Sequence, residues 1–147
     1  MPKEKLKESI IENSINKDRE SAKSEWEVID IYLKPSYTTC LCGKYPISEV
    51  CELQNKNNLK KVIVGNGCVK YFFDINHGYI YKGIKKIKED IDGVVSKKIL
   101  EYAFKKWRID AKQKSFYVVK KNQKNPWEYL LGIRQEVNKI LLEHFIK

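Results

Sequence analysis

Long apolar runs are missing from this chain of 147 residues. No stretch approaches the roughly 18 consecutive apolar residues that a membrane-spanning helix needs. The opening segment, MPKEKLKESIIENS, is charged and lacks the apolar centre of a secretory signal. The expectation is an intracellular protein with no membrane partner, in a reducing compartment where structural disulfides are uncommon. Histidine is scarce, with only His77 and His144, and arginine is scarcer than its partner lysine by 3 to 26. Internal repeats and low-complexity linkers are absent. Gly65-x-Gly67 is not followed by Gly-Lys-Ser/Thr, so it is no phosphate-binding loop.

What is present fits one domain, or a small module with a helical extension. A hydrophobic share of 42% and an aromatic share of 12% argue against a wholly disordered chain. The formal charge of +10 is unevenly placed. Residues 1–25 and 126–147 are each net neutral, and residues 26–54 carry net −2. Residues 55–90 carry net +5 and residues 91–125 net +7, so all the excess lies in the middle. A segregated positive field attracts phosphate polyanions. Lysine in place of arginine, with abundant Ile and Asn, is also what AT-rich coding produces, and a solvated lysine face is the plain alternative.

Residues 1–23 alternate charges around Leu6, Ile10, Ile11 and Ile15, which reads as an amphipathic helix or an arm that orders on a partner. From Trp26 the pattern turns β-prone. One run, Val28–Leu33, ends at Pro35, a second spans Ile47–Leu53 and a third spans Leu59–Val64. Asn55-Lys56-Asn57-Asn58 separates the last two as a hairpin turn. Asn66 suits the cap of a helix starting near Cys68, and residues 76–78 end it. Ile80, Ile84, Ile87 and Ile91 form an apolar helical stripe with Lys82, Lys85 and Lys86 largely off it. Val95, Ile99, Leu100, Ala103, Phe104 and Trp107 form a second stripe. Residues 112–121 fit a helix or a short strand. Asn125, Pro126 and Glu128 mark the start of a last helix, with Leu130, Ile133, Val137, Ile140 and Leu141 on its buried face.

The four cysteines fall on these elements as Cys40-x-Cys42 in a turn before Gly43, Cys51 on the first hairpin strand, and Cys68 in the first turn of a helix. A tight turn lets backbone amides face thiolate sulfurs, and a helix start favours a thiolate. Turn, hairpin and helix start are the parts of a treble-clef or zinc-ribbon site. The expectation is one structural Zn2+ held by Cys40, Cys42, Cys51 and Cys68 in a closed tetrahedral shell. Cys51 is the least constrained of the four, since it also suits a core position and His77 or a partner could stand in for it. Inert buried thiols are the alternative.

The string C-x-C-G at 40–43, followed by Ile47, Glu49, Cys51, Asn55 and Val64-Gly65-Asn66-x-Cys68-Val69-x-x-Phe72, resembles small zinc-finger-like proteins of bacteriophages, prophages and large DNA viruses. The likeness continues weakly through the helices to Arg134, Val137, Asn138 and Ile140, over about two-thirds of the chain. It implies a viral or mobile-element origin, hence a host cytoplasm or nucleus, rather than an activity. Some members of the group lack a cysteine at the position of Cys51.

No catalytic constellation compels an enzyme. Asp74-x-x-His77 could serve a nuclease-like site, but a loop carboxylate beside a surface or capping histidine is the commoner meaning. Glu89, Asp90 and Asp92 lack the spacing of a calcium loop. The expected fold is therefore α+β: an arm or helix over 1–23, a zinc-ribbon-like or treble-clef-like hairpin module over 24–75, and a helical half over 76–147 packed on it. The expected function is nucleic-acid binding with weak sequence preference. Lys60, Lys61, Lys70, Lys82, Lys85, Lys86, Lys97 and Lys98 would contact phosphates, and Tyr79, Tyr81 and Tyr117 are candidate stacking residues. The second expectation is a viral module that engages a host protein through the neutral N-terminal arm or final helix.

Overall fold

A computed structural model of the chain describes residues 2–117 and 127–147. The fold is α+β, with a three-stranded antiparallel sheet in the order β1-β2-β3 and helices before and after it. The chain divides into two compact units, Met1–Gly78 with Lys147, and Tyr79–Ile146.

The first unit is built on β1 (Trp26–Thr38), β2 (Ile47–Asn55) and β3 (Lys61–Gly65). Cys51 sits at the middle of the sheet, opposite Ile31 on one side and Val64 on the other. All three are fully buried. Pro35 does not end β1 as its missing amide suggests. β1 is an edge strand, and its pairing with β2 is irregular between Leu33 and Thr38, with Tyr37 at a φ of 65°. An edge strand with a bulge is where a strand accepts proline.

Two helices precede the sheet, α1 (Pro2–Glu12) and α2 (Arg19–Ser24). α1 buries Leu6 and Ile10 completely. The connection between these helices is tied to the sheet by Glu25, which is only 4% exposed. Its carboxylate accepts from the Ile15 and Asn16 amides, both at 2.9 Å, and from the Asn16 and Asn55 side chains, both at 3.1 Å. Burial alone would raise its pKa, but the hydrogen bonds from Asn16, Ile15 and Asn55 outweigh it and hold the carboxyl at about 2. Asn55 meanwhile accepts from the Asn57 and Asn58 amides and shapes the hairpin turn.

After β3 comes α3 (Asn66–Phe73), whose cap is Gly65 rather than Asn66. The Asn66 side chain reaches instead toward Glu49, at 3.5 Å, and makes no cap bond. α3 ends at Asp74 in the left-handed conformation, with φ 56°, and packs on β2 and β3 through Val69 and Phe72.

The second unit holds α4 (Gly78–Glu89, from Tyr79 on), α5 (Lys97–Lys105), α6 (Ala111–Tyr117) and α7 (Trp127–Phe145). α4 buries Ile80, Tyr81, Ile84 and Ile87, as the stripe requires, while Ile91 lies beyond its end. α4 and α5 approach closely, since a Cβ on Gly83 would meet Ile99 Cδ1 at 2.3 Å. Ser96 caps α5, and Asp110 with Gln113 forms a reciprocal capping box for α6. The segment around Phe116 is thus helical up to Tyr117, and the proposed cap at Asn125 and Pro126 lies outside the described residues. Tyr117 and Asn138 lock the connection between α4 and α5. The Tyr117 hydroxyl accepts from Val95 N at 2.9 Å and donates to Asn138 Oδ1 at 2.8 Å. Asn138 Nδ2 donates to the Ile91 and Gly93 carbonyls. Among the described residues no helix is long and apolar enough to cross a membrane.

Candidate metal centre and basic surface

The turn between β1 and β2 is built as a knuckle. Gly43 N donates to Cys40 O at 2.8 Å and Cys40 N donates to Lys44 O at 2.9 Å. Gly43 has a φ of +92°, which a side chain would resist, so the glycine is a requirement of the turn. Leu41 N donates to Ile63 O at 2.9 Å and pins the knuckle to β3. Because β3 runs directly into α3, the same contact brings Cys40 and Cys42 to the first turn of that helix, where Cys68 stands.

The sulfurs of Cys40, Cys42 and Cys68 all lie within 4.8 Å of one another. Cys40 and Cys68 are 3.5 Å apart, well beyond a disulfide of about 2.05 Å, and all four cysteines are free. Zinc–thiolate bonds of about 2.3 Å place tetrahedral sulfurs about 3.8 Å apart, so the spacing suits an ion at their centre. Cys40 Sγ accepts from Gly65 N at 3.3 Å and Cys42 N at 3.5 Å, two backbone donors aimed at a thiolate. The hydrogen bond from Cys68 lowers the Cys40 pKa, and those backbone donors add to it. Cys68 is raised, chiefly because it is the thiol that donates to Cys40. Protons are thus held unequally between Cys40 and Cys68. This is a three-cysteine cluster able to hold a metal ion.

Cys51 does not stand in this group, which corrects the four-cysteine expectation. The reason is its place on the sheet. Its side chain shares the buried face of Ile31 and Val64, whereas the cluster gathers at the end of β3, around the amide of Gly65. Burial first, then the charges of Asp30 and Glu52, push the Cys51 thiol up to about 12. It is a neutral core thiol. His77 is also outside the group. Its Nδ1 is buried without a hydrogen-bond partner, and burial lowers its pKa. Asp74, exposed at the C-cap of α3, therefore does not orient it as an acid–base pair would need.

A cleft of about 560 Å³ opens beside the cysteine cluster, lined also by Lys44, Glu49, Asn66 and Tyr71. Spacing in the sequence gave no sign of it, because Lys44 and Glu49 are distant from Asn66 and Tyr71 until the hairpin closes.

The eight lysines singled out from the sequence are all exposed. Lys60, Lys61 and Lys70 lie in the first unit, and Lys82, Lys85, Lys86, Lys97 and Lys98 in the second. Of the candidate stacking residues, Tyr81 and Tyr117 are buried, at 1% and 0% exposure, and only Tyr79 reaches the surface. Trp107 does not belong to the buried stripe. α5 ends at Lys105, and Trp107 adopts a φ of 61° and is 91% exposed. Lys105, Lys106 and Arg108 around it are exposed as well. The signal for this site was the string Lys-Lys-Trp-Arg, an aromatic inside a basic run at the end of an apolar stripe.

Compared with known proteins, the chain matches no family model, no curated protein and no solved structure.

Proposed function

We propose that this is a zinc-organised, basic nucleic-acid-binding protein of weak sequence preference. The observation that carries the binding is Trp107. A bulky side chain in the left-handed region costs roughly 1–2 kcal/mol that glycine would not. Here that position holds a tryptophan that is 91% exposed and contributes almost nothing to the core. Set among Lys105, Lys106 and Arg108, the ring offers a face for an unpaired base while its neighbours meet phosphate. Lys82, Lys85 and Lys86 on the outward side of α4 extend the positive surface. Lys97 and Lys98 occupy the first turn of α5, where a helix by itself prefers acidic residues. That placement adds to the attraction for phosphate.

Zinc is the ion that best fits the donors. Three soft thiolates in tetrahedral spacing favour zinc over hard cations such as magnesium or calcium. Knuckle, hairpin and helix start follow one another in a treble-clef order, with the ion joining them. Of the apolar residues that could serve a partner's groove, Leu6 and Ile10 of α1, and Val137, Leu141 and Phe145 of α7, are buried.

The test is fluorescence anisotropy with a short single-stranded oligonucleotide and a duplex of the same sequence. Affinity should fall linearly with salt on logarithmic axes, by about 0.7 per phosphate contact for the single strand and 0.9 for the duplex. Trp107→Ala should weaken single-strand binding by about 5- to 150-fold, the value of one stacked base at about 1–3 kcal/mol. A flat salt response, no binding at about 50 mM salt, or an unchanged affinity in Trp107→Ala would refute the reading.

A further inference from the structure

Three sulfurs this close could supply three corners of a metal's tetrahedron, and the fourth corner decides what kind of site this is. A closed site takes four protein ligands, whereas an open one takes three and keeps a position for water or another small ligand. The two residues of the sequence that could close the shell, Cys51 and His77, both lie outside the cluster. Among the described residues no further histidine, cysteine or carboxylate joins the three sulfurs.

The surroundings are those of an accessible position. Cys40 and Cys42 are each 3% exposed, but Cys68 is more open and lies on the wall of the cleft. The neighbouring Gly67 has nothing within 4 Å of where a Cβ would stand. The cleft, about 560 Å³, is within the range of small-molecule sites and far larger than the roughly 30 Å³ of one water. Its wall carries Lys44, a cation that favours an anionic ligand, and Glu49, whose carboxylate lies 3.5 Å from the Asn66 amide nitrogen. A purely structural ion needs none of this space.

We propose that the ion held by Cys40, Cys42 and Cys68 keeps a fourth, exchangeable position that opens into this cleft, occupied by water and replaceable by a small anionic donor. The inference rests on the metal-binding reading above. It turns a closed structural site into one that can bind, and respond to, a small ligand.

Cobalt(II) in place of zinc reports both points in the full-length protein, because its visible d–d bands follow the ligand set. The expected result is one cobalt per chain with charge-transfer intensity for three thiolates. Azide, or the thiol 2-mercaptoethanol, should then shift the d–d bands in a saturable manner. Cys51→Ala and His77→Ala should give the same starting spectrum and the same shift. Lys44→Ala should weaken azide binding roughly two- to fivefold, as the loss of one partly solvated charge does, without changing cobalt stoichiometry. If cobalt binds but neither probe moves the bands, or if Cys51→Ala or His77→Ala alters the starting spectrum, the shell is closed and the inference fails while the metal reading stands. If cobalt does not bind, the metal reading fails and takes the inference with it.

Discussion

Replacing Tyr117 with phenylalanine removes one oxygen atom from the centre of the second unit, and the structure fixes what that atom does. The hydroxyl accepts from Val95 N at 2.9 Å and donates to Asn138 Oδ1 at 2.8 Å. In Tyr117→Phe, a backbone donor and a side-chain acceptor both lose this partner in a site where Tyr117 and Asn138 have no solvent exposure. Each buried group left unsatisfied costs about 1–3 kcal/mol, so the pair should cost about 2–6 kcal/mol. Asn138 stays held by its two Nδ2 bonds to the Ile91 and Gly93 carbonyls, although its Oδ1 loses its donor, so the expected value lies in the lower half of that range, at about 3 kcal/mol. With a urea m value of about 2 kcal/mol/M, the unfolding midpoint should drop by about 1.5 M. Amide exchange at Val95 should lose protection in parallel. Tyr79→Phe is the control, because Tyr79 is 38% exposed and makes a ring contact with Lys98 that the substitution preserves. It should change stability by less than about 0.5 kcal/mol. Equal effects of the two substitutions would refute the view that Tyr117 is a structural pin.

Other outcomes follow from the same geometry. Glu25 has a folded pKa of about 2 against an ordinary value of 4.5, so its stabilising contribution is complete above about 4.5 and is lost as pH falls toward 2. Glu25→Gln should lower the urea midpoint at neutral pH and flatten its decline across that acid window, and an unchanged acid profile would contradict the assignment. Two glycines should respond oppositely to alanine. Gly83→Ala drives a Cβ to 2.3 Å from Ile99 Cδ1 and should destabilise by about 1–3 kcal/mol despite the better helix propensity of alanine. Gly67→Ala meets open space in α3 and should stabilise by about 0.5–1 kcal/mol. Thermal or urea unfolding of the two variants side by side checks the pair.

Much of the architecture was legible in the sequence because local patterns carried it. The Asn-rich turn between two β-prone runs marked the β2–β3 hairpin, and the isoleucine spacing marked α4. That Cys40, Cys42 and Cys68 come together was legible because knuckle and helix start are local features. Cys51 was not separable from them, because a cysteine on a strand looks the same whichever face it occupies. Only the register with Ile31 and Val64 assigns it to the core. Tyr117 and Glu25 escaped for a related reason, since their partners are distant in the chain and no short motif joins them. Trp107 continues the apolar spacing in the sequence but leaves the buried face in the structure, because α5 stops at Lys105. A period shows which face a residue would take inside a helix and says little about where the helix ends.

Metal analysis of the purified full-length protein, beside its single-cysteine variants, tests the central claim most directly. The account predicts one zinc per chain in the wild type and in Cys51→Ala, with zinc lost from Cys40→Ser and from Cys68→Ser. A wild-type protein with four titratable thiols and no zinc, or a zinc content that depends on Cys51 as strongly as on Cys40, would contradict it.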